Sequence, residues 1–241
     1  MNKKTPIPLE VAANRADETY LRLKEELFNF YLLPGDYFSE NEIAARMEVS
    51  RTPVREALFR LQREGYVRVM PRVGWQVRPL DFDKFDQLYE IRILLEEFSL
   101  QRLVRKENIS NIKMLMTTWC CLPDERESDA KAVWLQDEQF HAGLVETGGN
   151  AEMSRIHQDV MDRLRIIRRL DFTKSQRVNA TYQEHAAILE QIQRGRISEA
   201  QRLLRSHIEA SRLEVRKITL SMLYEARLKK QGVLNRCVFK K

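Results

Sequence analysis

The sequence predicts a mainly α-helical protein in two parts: a small head carrying one two-stranded ribbon, then an all-helical bundle of about six helices. Three observations point there. Apolar residues recur at helical spacing through most of the chain, from Tyr20, Leu23, Leu27 and Tyr31 onward. Alternation with a period of two is confined to Tyr66–Met70 and Trp75–Arg78. Beyond Pro79-Leu80-Asp81 no strand pattern occurs.

Each element follows in order. Residues 1–15 are polar and contain two prolines, so they are expected to form a flexible N-terminal arm. A helix is expected from Asp17 to Tyr31, stopped by Pro34-Gly35. Ser39-Glu40-Asn41-Glu42 is a capping box and opens a short helix that runs to Met47. After a turn at residues 48–50, a second helix spans Arg51 to Glu64, with Pro53 in the first turn, where its missing N–H costs nothing. Gly65 ends it, and the ribbon turns through Pro71 to Gly74.

The head is thus bounded at 16–79 and the bundle at 82–228, followed by a basic tail at 229–241. Within the bundle, helices are expected at roughly 82–105, 109–121, 127–146, 151–171, 175–194 and 197–229. Pro123, Gly148-Gly149-Asn150 and Gly195 separate them, and Ser198 to Gln201 reads as a second capping box.

Composition narrows the function. No apolar stretch approaches the roughly 20 residues needed to cross a bilayer, so no membrane partner is expected. Cys120, Cys121 and Cys237 are odd in number, with no zinc-finger spacing, which suits a cytoplasmic protein. The net charge is +6 overall, yet residues 1–80 carry only +2 (13 Lys and Arg against 11 Asp and Glu). Within 49–79, seven arginines face only Glu56 and Glu64. Charge concentrated in this way serves phosphate neutralisation on double-stranded DNA.

The helix pair has the parts of a helix-turn-helix: the small Ala44, a tight turn, and the apolar anchor Val54. The ribbon would be its wing. Ser50, Arg51, Thr52 and Arg55 lie at the start of the second helix, where base edges are reached. Arginine can grip guanine O6 and N7 with two bonds, so Arg51 or Arg55 is the expected base reader. Ser50 and Thr52 suit phosphates, Arg72 at the wing tip suits a minor groove, and Gly74 allows close backbone approach. Glu48 occupies the turn position that glycine would fill most easily. Taken alone, Arg51 and Arg55 also fit a solvated helix face.

Asp137 and His141 stand one helical turn apart, and His185 and His207 fall on the last two helices. An antiparallel pairing about Gly195 could bring them level. One carboxylate and three imidazoles suit a divalent ion such as zinc, nickel or manganese. By spacing alone, a helical histidine is more often a hydrogen-bonded core or surface residue.

Leu33-Pro34-Gly35, Ser39-Glu40, Val49 through Leu58 and Pro71 through Gly74 together resemble the GntR family of bacterial transcriptional regulators. Glu48 and Val73 depart from that pattern. Residues 82–228 resemble the FCD ligand-binding domain of the FadR-type branch, through Arg92 to Glu96, Asp137-x-x-Phe140-His141, His185 and His207. The resemblance implies a metal on Asp137, His141, His185 and His207 beneath an effector pocket. His157 has no counterpart and reads as structural.

An open metal position beside arginines suits a small carboxylate effector, with Arg92, Arg165 and Arg169 as candidates. Trp119 and Trp134 read as core. The function expected is a homodimeric, effector-responsive repressor on a palindromic DNA operator. Two rivals are a helical metalloenzyme with an Asp/His₃ centre and an architectural DNA-binding dimer without effector.

Overall fold

The computed structural model describes residues 9–103, 110–168 and 175–217, which fall into two compact units meeting in sequence at Leu80 and Asp81. The first unit contains α1 (Leu9–Phe28), β1 (Tyr37–Phe38), α2 (Glu40–Met47), α3 (Arg51–Arg63), β2 (Val67–Met70) and β3 (Gly74–Val77). The strands form one antiparallel sheet in the order β1-β3-β2.

Two departures from expectation lie in α1. It begins at Leu9, inside the stretch expected as an arm. Leu9-Glu10-Val11-Ala12-Ala13 includes good helix formers and needs no apolar stripe to stay helical once Tyr20, Leu23 and Leu27 anchor the following turns. It ends at Phe28 because Phe30 takes a positive φ of 60° and turns into the core, where it is almost wholly buried. Residues 1–8 lie outside the described part. Strand β1 was not legible in sequence, since two residues show no alternation. It exists through its pairing, with Phe38 opposite Trp75.

The capping box at α2 forms as read: Glu42 N–H donates to Ser39 Oγ at 3.1 Å, and Ser39 N–H donates to Glu42 Oε2 at 2.6 Å. Ala44 and Val54 are buried, as a helix-turn-helix requires. Between the helices Glu48 adopts φ 57° and ψ 40°, the left-handed conformation that closes α2. A side chain there costs about 1 kcal/mol relative to glycine. Replacing Glu48→Gly is therefore expected to raise the unfolding free energy of the head by about 1 kcal/mol in a urea titration. An unchanged or lower value would mean that the turn carries no such strain.

The wing turns through Pro71, Arg72 and Val73, with Val73 N–H donating to Met70 O at 3.1 Å. Arg72 sits at φ 65°, where a type II turn prefers glycine, and is exposed at the tip. Gly74 is required within the protein itself. Its φ is 120°, and a Cβ there would stand 2.7 Å from the Phe38 carbonyl oxygen. The close approach it allows is to β1, within the protein.

The second unit holds α4 (Phe82–Leu103), α5 (Ser110–Trp119), α6 (Ala130–Thr147), α7 (Ala151–Arg168), α8 (Ser175–Gln193) and α9 (Ile197–Arg216), six α-helices among the described residues, with one 3₁₀ turn at Pro123–Glu125. Helix α4 is central and packs against α6, α7 and α9, while α8 packs on α9 and α5. Asp129 caps α6 by accepting from Ala132 N–H at 2.9 Å. The box expected at Ser198 does not form. Gly195, at φ 69°, and the bond from Arg196 N–H to Gln191 O at 2.9 Å close α8, so α9 starts at Ile197 and Ser198 lies inside its first turn. The tail at 229–241 lies outside the described residues. No described helix is long and apolar enough to cross a membrane.

Candidate metal centre and nucleic-acid interface

The buried face of α4 carries Phe85, Tyr89, Arg92, Glu96 and Leu100. Charged groups in such a stripe must be answered by other buried charges. The answers come from the helices around it. Asp137 and His141 project from α6, His185 from α8 and His207 from α9, and all four are buried. One ligand atom from each lies within 4.8 Å of all the others. The structure thus brings together the four residues singled out from spacing.

The geometry carries chemical information. His207 Nε2 stands 3.2 Å from His141 Nε2 and 3.2 Å from His185 Nε2. Asp137 Oδ1 lies 3.4 Å from His185 Nε2 and 3.6 Å from His141 Nε2, and has no hydrogen-bond partner among the described residues. His141 Nδ1 faces Glu96 Oε2 at 2.6 Å, and His207 Nδ1 faces Glu184 Oε2 at 2.6 Å. A carboxylate only accepts, so both Nδ1 atoms carry a proton, and in the neutral rings that can ligate a metal both Nε2 atoms present lone pairs. Lone pairs this close repel unless a positive species lies between them. A proton can bridge one pair, whereas a divalent ion answers all four groups. Tetrahedral zinc, with Zn–N near 2.05 Å, sets its ligand nitrogens about 3.3 Å apart. The residues fit such an ion.

Burial, reinforced by the neighbouring imidazoles, pushes His185 and His207 well below the ordinary imidazole value, so both are neutral and ready to ligate. Burial raises the Asp137 carboxyl, but Arg168 and His141 outweigh it and hold it well below the usual range. Glu96 behaves alike: burial raises it, while His141 and Arg92 pull it further down. His185 has no carboxylate behind it. Its ring stacks on Phe140, with centroids 3.6 Å apart, and meets the edge of Trp119. Trp119 and Trp134 are buried, as expected of core residues.

The arginines are distributed differently from expectation. Arg92 is fully buried; its Nε donates to Glu96 Oε1 at 2.7 Å, and its two terminal nitrogens have no hydrogen-bond partner among the described residues. Arg165 is engaged with Glu138 and Asp162 at 2.9 and 3.0 Å. Arg169 lies outside the described residues. The α7 arginine that reaches the centre is Arg168, buried and paired with Asp137 Oδ2. Sequence reasoning passed over Arg168, Glu96 and Glu184. The signal for two of them was present: His157, Met161, Leu164 and Arg168 share one face of α7, and Arg92 and Glu96 share one face of α4.

In the head, Ser50, Arg51, Thr52 and Arg55 are all exposed at the start of α3. Ser50 is the N-cap residue but makes no side-chain cap bond. Arg55 grips Glu40 through Nε at 3.0 Å and the second guanidinium nitrogen at 2.8 Å, and Arg51 reaches the same carboxylate at 3.3 Å. These bonds, that from Arg55 above all, lower the Glu40 carboxyl pKa.

Comparison with known proteins agrees with this anatomy. The pattern of the bacterial regulatory proteins of the gntR family matches residues 15–77, and that of the FCD domain matches residues 87–210. The chain belongs to the GntR family and carries an FCD domain. It is 30% identical over 197 residues to an HTH-type transcriptional regulator of Streptomyces ambofaciens, covering 82% of this chain and 83% of that one. It is 36% identical over 117 residues to the gluconate operon transcriptional repressor of Bacillus subtilis, covering 46% of each. A GntR regulator structure from Rhodococcus sp. RHA1 shares the fold, with a TM-score of 0.67 at 20% identity, covering 86% of this chain and 99% of that one. GntR regulators bind DNA and FCD domains bind small-molecule effectors. The chain is a transcriptional regulator, which removes the metalloenzyme reading of the Asp/His cluster.

Proposed function

We propose that this GntR regulator is a cytoplasmic, homodimeric repressor whose FCD domain senses a small carboxylate through a bound divalent ion. The observation that carries the reading is the convergence of three imidazole Nε2 atoms and an unpartnered Asp137 oxygen at one buried point. Zinc, nickel or manganese would be held by Asp137, His141, His185 and His207. An ion held by these four residues would offer an effector carboxylate a position only by taking more than four ligands, as nickel, manganese or a five-coordinate zinc would. Arg92 would take the same or a second carboxylate with its two terminal nitrogens, the fork geometry that guanidinium offers. Arg165 is committed to Glu138 and Asp162 and is a weaker candidate.

On the DNA side, Arg51 and Arg55 would read bases, Ser50 and Thr52 would hold phosphates, and Arg72 would enter the adjacent minor groove. Homodimerisation is supported by an apolar stripe on α4, where Ile91, Leu94 and Phe98 are exposed at 42%, 64% and 49%. A two-fold dimer calls for a palindromic operator. Repression is the reading that the gluconate operon repressor of B. subtilis favours among the relatives. Effector binding then shifts operator affinity, and by linkage the operator shifts effector affinity by the same factor.

The test is a thermal-shift screen of sugar acids, hydroxy acids and dicarboxylates on the metal-loaded and EDTA-treated protein. A carboxylate that raises the melting temperature only with metal present supports the reading. If none does in either state, the architectural DNA-binding dimer becomes the better account.

A further inference from the structure

We propose that Glu96 is a positioning residue of the metal centre, fixing the tautomer and direction of His141 so that its Nε2 faces the ion. This rests on the metal reading above. Glu96 is fully buried on α4 and answers donors from three helices. Its Oε2 takes His141 Nδ1 from α6 at 2.6 Å. Its Oε1 takes Arg92 Nε from its own helix at 2.7 Å and His157 Nε2 from α7 at 2.9 Å.

Two donors on one oxygen prevent the carboxylate from rotating, so the other oxygen is held in place for His141. Because a carboxylate only accepts, His141 must carry its proton on Nδ1 and leave Nε2 free for a metal. His157, which sequence reading left as structural, is one of the two clamps. Glu184 backs His207 Nδ1 in the same way but is one-third exposed and shared with Arg177. His185 has no carboxylate behind it, its Nδ1 being buried without a hydrogen-bond partner among the described residues. The three imidazoles are therefore unequal, and His141 is the one most firmly oriented before any ion arrives.

Glutamine at this position offers one acceptor oxygen and a donor amide that must face either His141 Nδ1–H or the Arg92 and His157 donors. The protein is stripped with EDTA, and zinc affinity is then measured by competition with a chromophoric chelator, with metal-free melts run in parallel. Glu96→Gln, and the double variant Arg92→Met/Glu96→Gln that leaves no unpaired guanidinium, are expected to lose about 10- to 100-fold in zinc affinity. A variant that is folded without metal and binds zinc as tightly as the wild type overturns the proposal.

Nitrogen NMR of the zinc-loaded wild type needs no substitution and stands even if both variants fail to fold. Protonated Nδ1 with coordinated Nε2 at His141 supports the proposal, and coordination through Nδ1 overturns it. A wild-type protein that takes up no zinc, nickel or manganese would instead sink the metal reading on which it rests.

Discussion

Chelation is expected to lower the melting temperature of the helical unit by about 10 °C, and re-addition of zinc to restore it. An ion present at about 1,000 times its dissociation constant contributes about 4 kcal/mol to the folded state. Each kcal/mol moves the melting temperature of a domain this size by roughly 3 °C. The metal-free site adds to the contrast, because it leaves closely spaced imidazole nitrogens and an unpartnered Asp137 oxygen in the core. His207→Ala should abolish the response to metal. A His207→Ala protein whose melting still rises with zinc would place the ion elsewhere.

The response also has a pH sign. Burial holds His185 and His207 neutral in the fold, below the ordinary 6.5, whereas the unfolded chain protonates them near that value. The unfolded state therefore binds more protons as pH falls below about 6.5, and stability from these groups is lost in that direction. Asp137 and Glu96, held well below their ordinary values, act with the same sign at lower pH. Protons also compete with the ion for the imidazoles. The zinc-induced shift should be smaller at pH 5.5 than at pH 7.5, and a larger shift at the lower pH would contradict the assignment of these ligands.

The second large effect lies in the head. Arg51→Ala and Arg55→Ala are each expected to weaken binding to a selected palindromic fragment by about 100-fold, since a bidentate base contact contributes about 1–3 kcal/mol of discrimination. Folding should be untouched, because both side chains are more than half exposed. Near-normal operator affinity for both variants in a mobility-shift assay would remove them as readers. A loss that is equal on random DNA would make them phosphate contacts instead.

Legibility in the sequence followed the range of the physics. Local signals were readable: the Ser39 and Glu42 cap, the strained turn at Glu48, and the one-turn spacing of Asp137 and His141 all depend on neighbours within four residues. Non-local ones were not. Strand β1 exists only because Phe38 meets Trp75, and Gly74 is explained only by the Phe38 carbonyl. Arg168 was not singled out because a run of alternating arginines does not by itself say which one reaches Asp137 on a neighbouring helix. Glu96 was missed because its partners come from α6 and α7 as well as from its own helix.

The Glu40 carboxylate, which holds Arg51 and Arg55 together in the free head, bears on how the protein searches for its site. If Arg51 and Arg55 are the readers, on arbitrary sequence they can stay in that grip and add little to counterion release, so the attraction at long range would be weaker than the arginine count suggests. Sliding along random DNA should therefore be brief. Only a guanine in the right place offers Arg55 two bonds in exchange for those to Glu40, so an intramolecular competitor penalises wrong sequences before any clash is needed. A head built in this way would trade grip for discrimination.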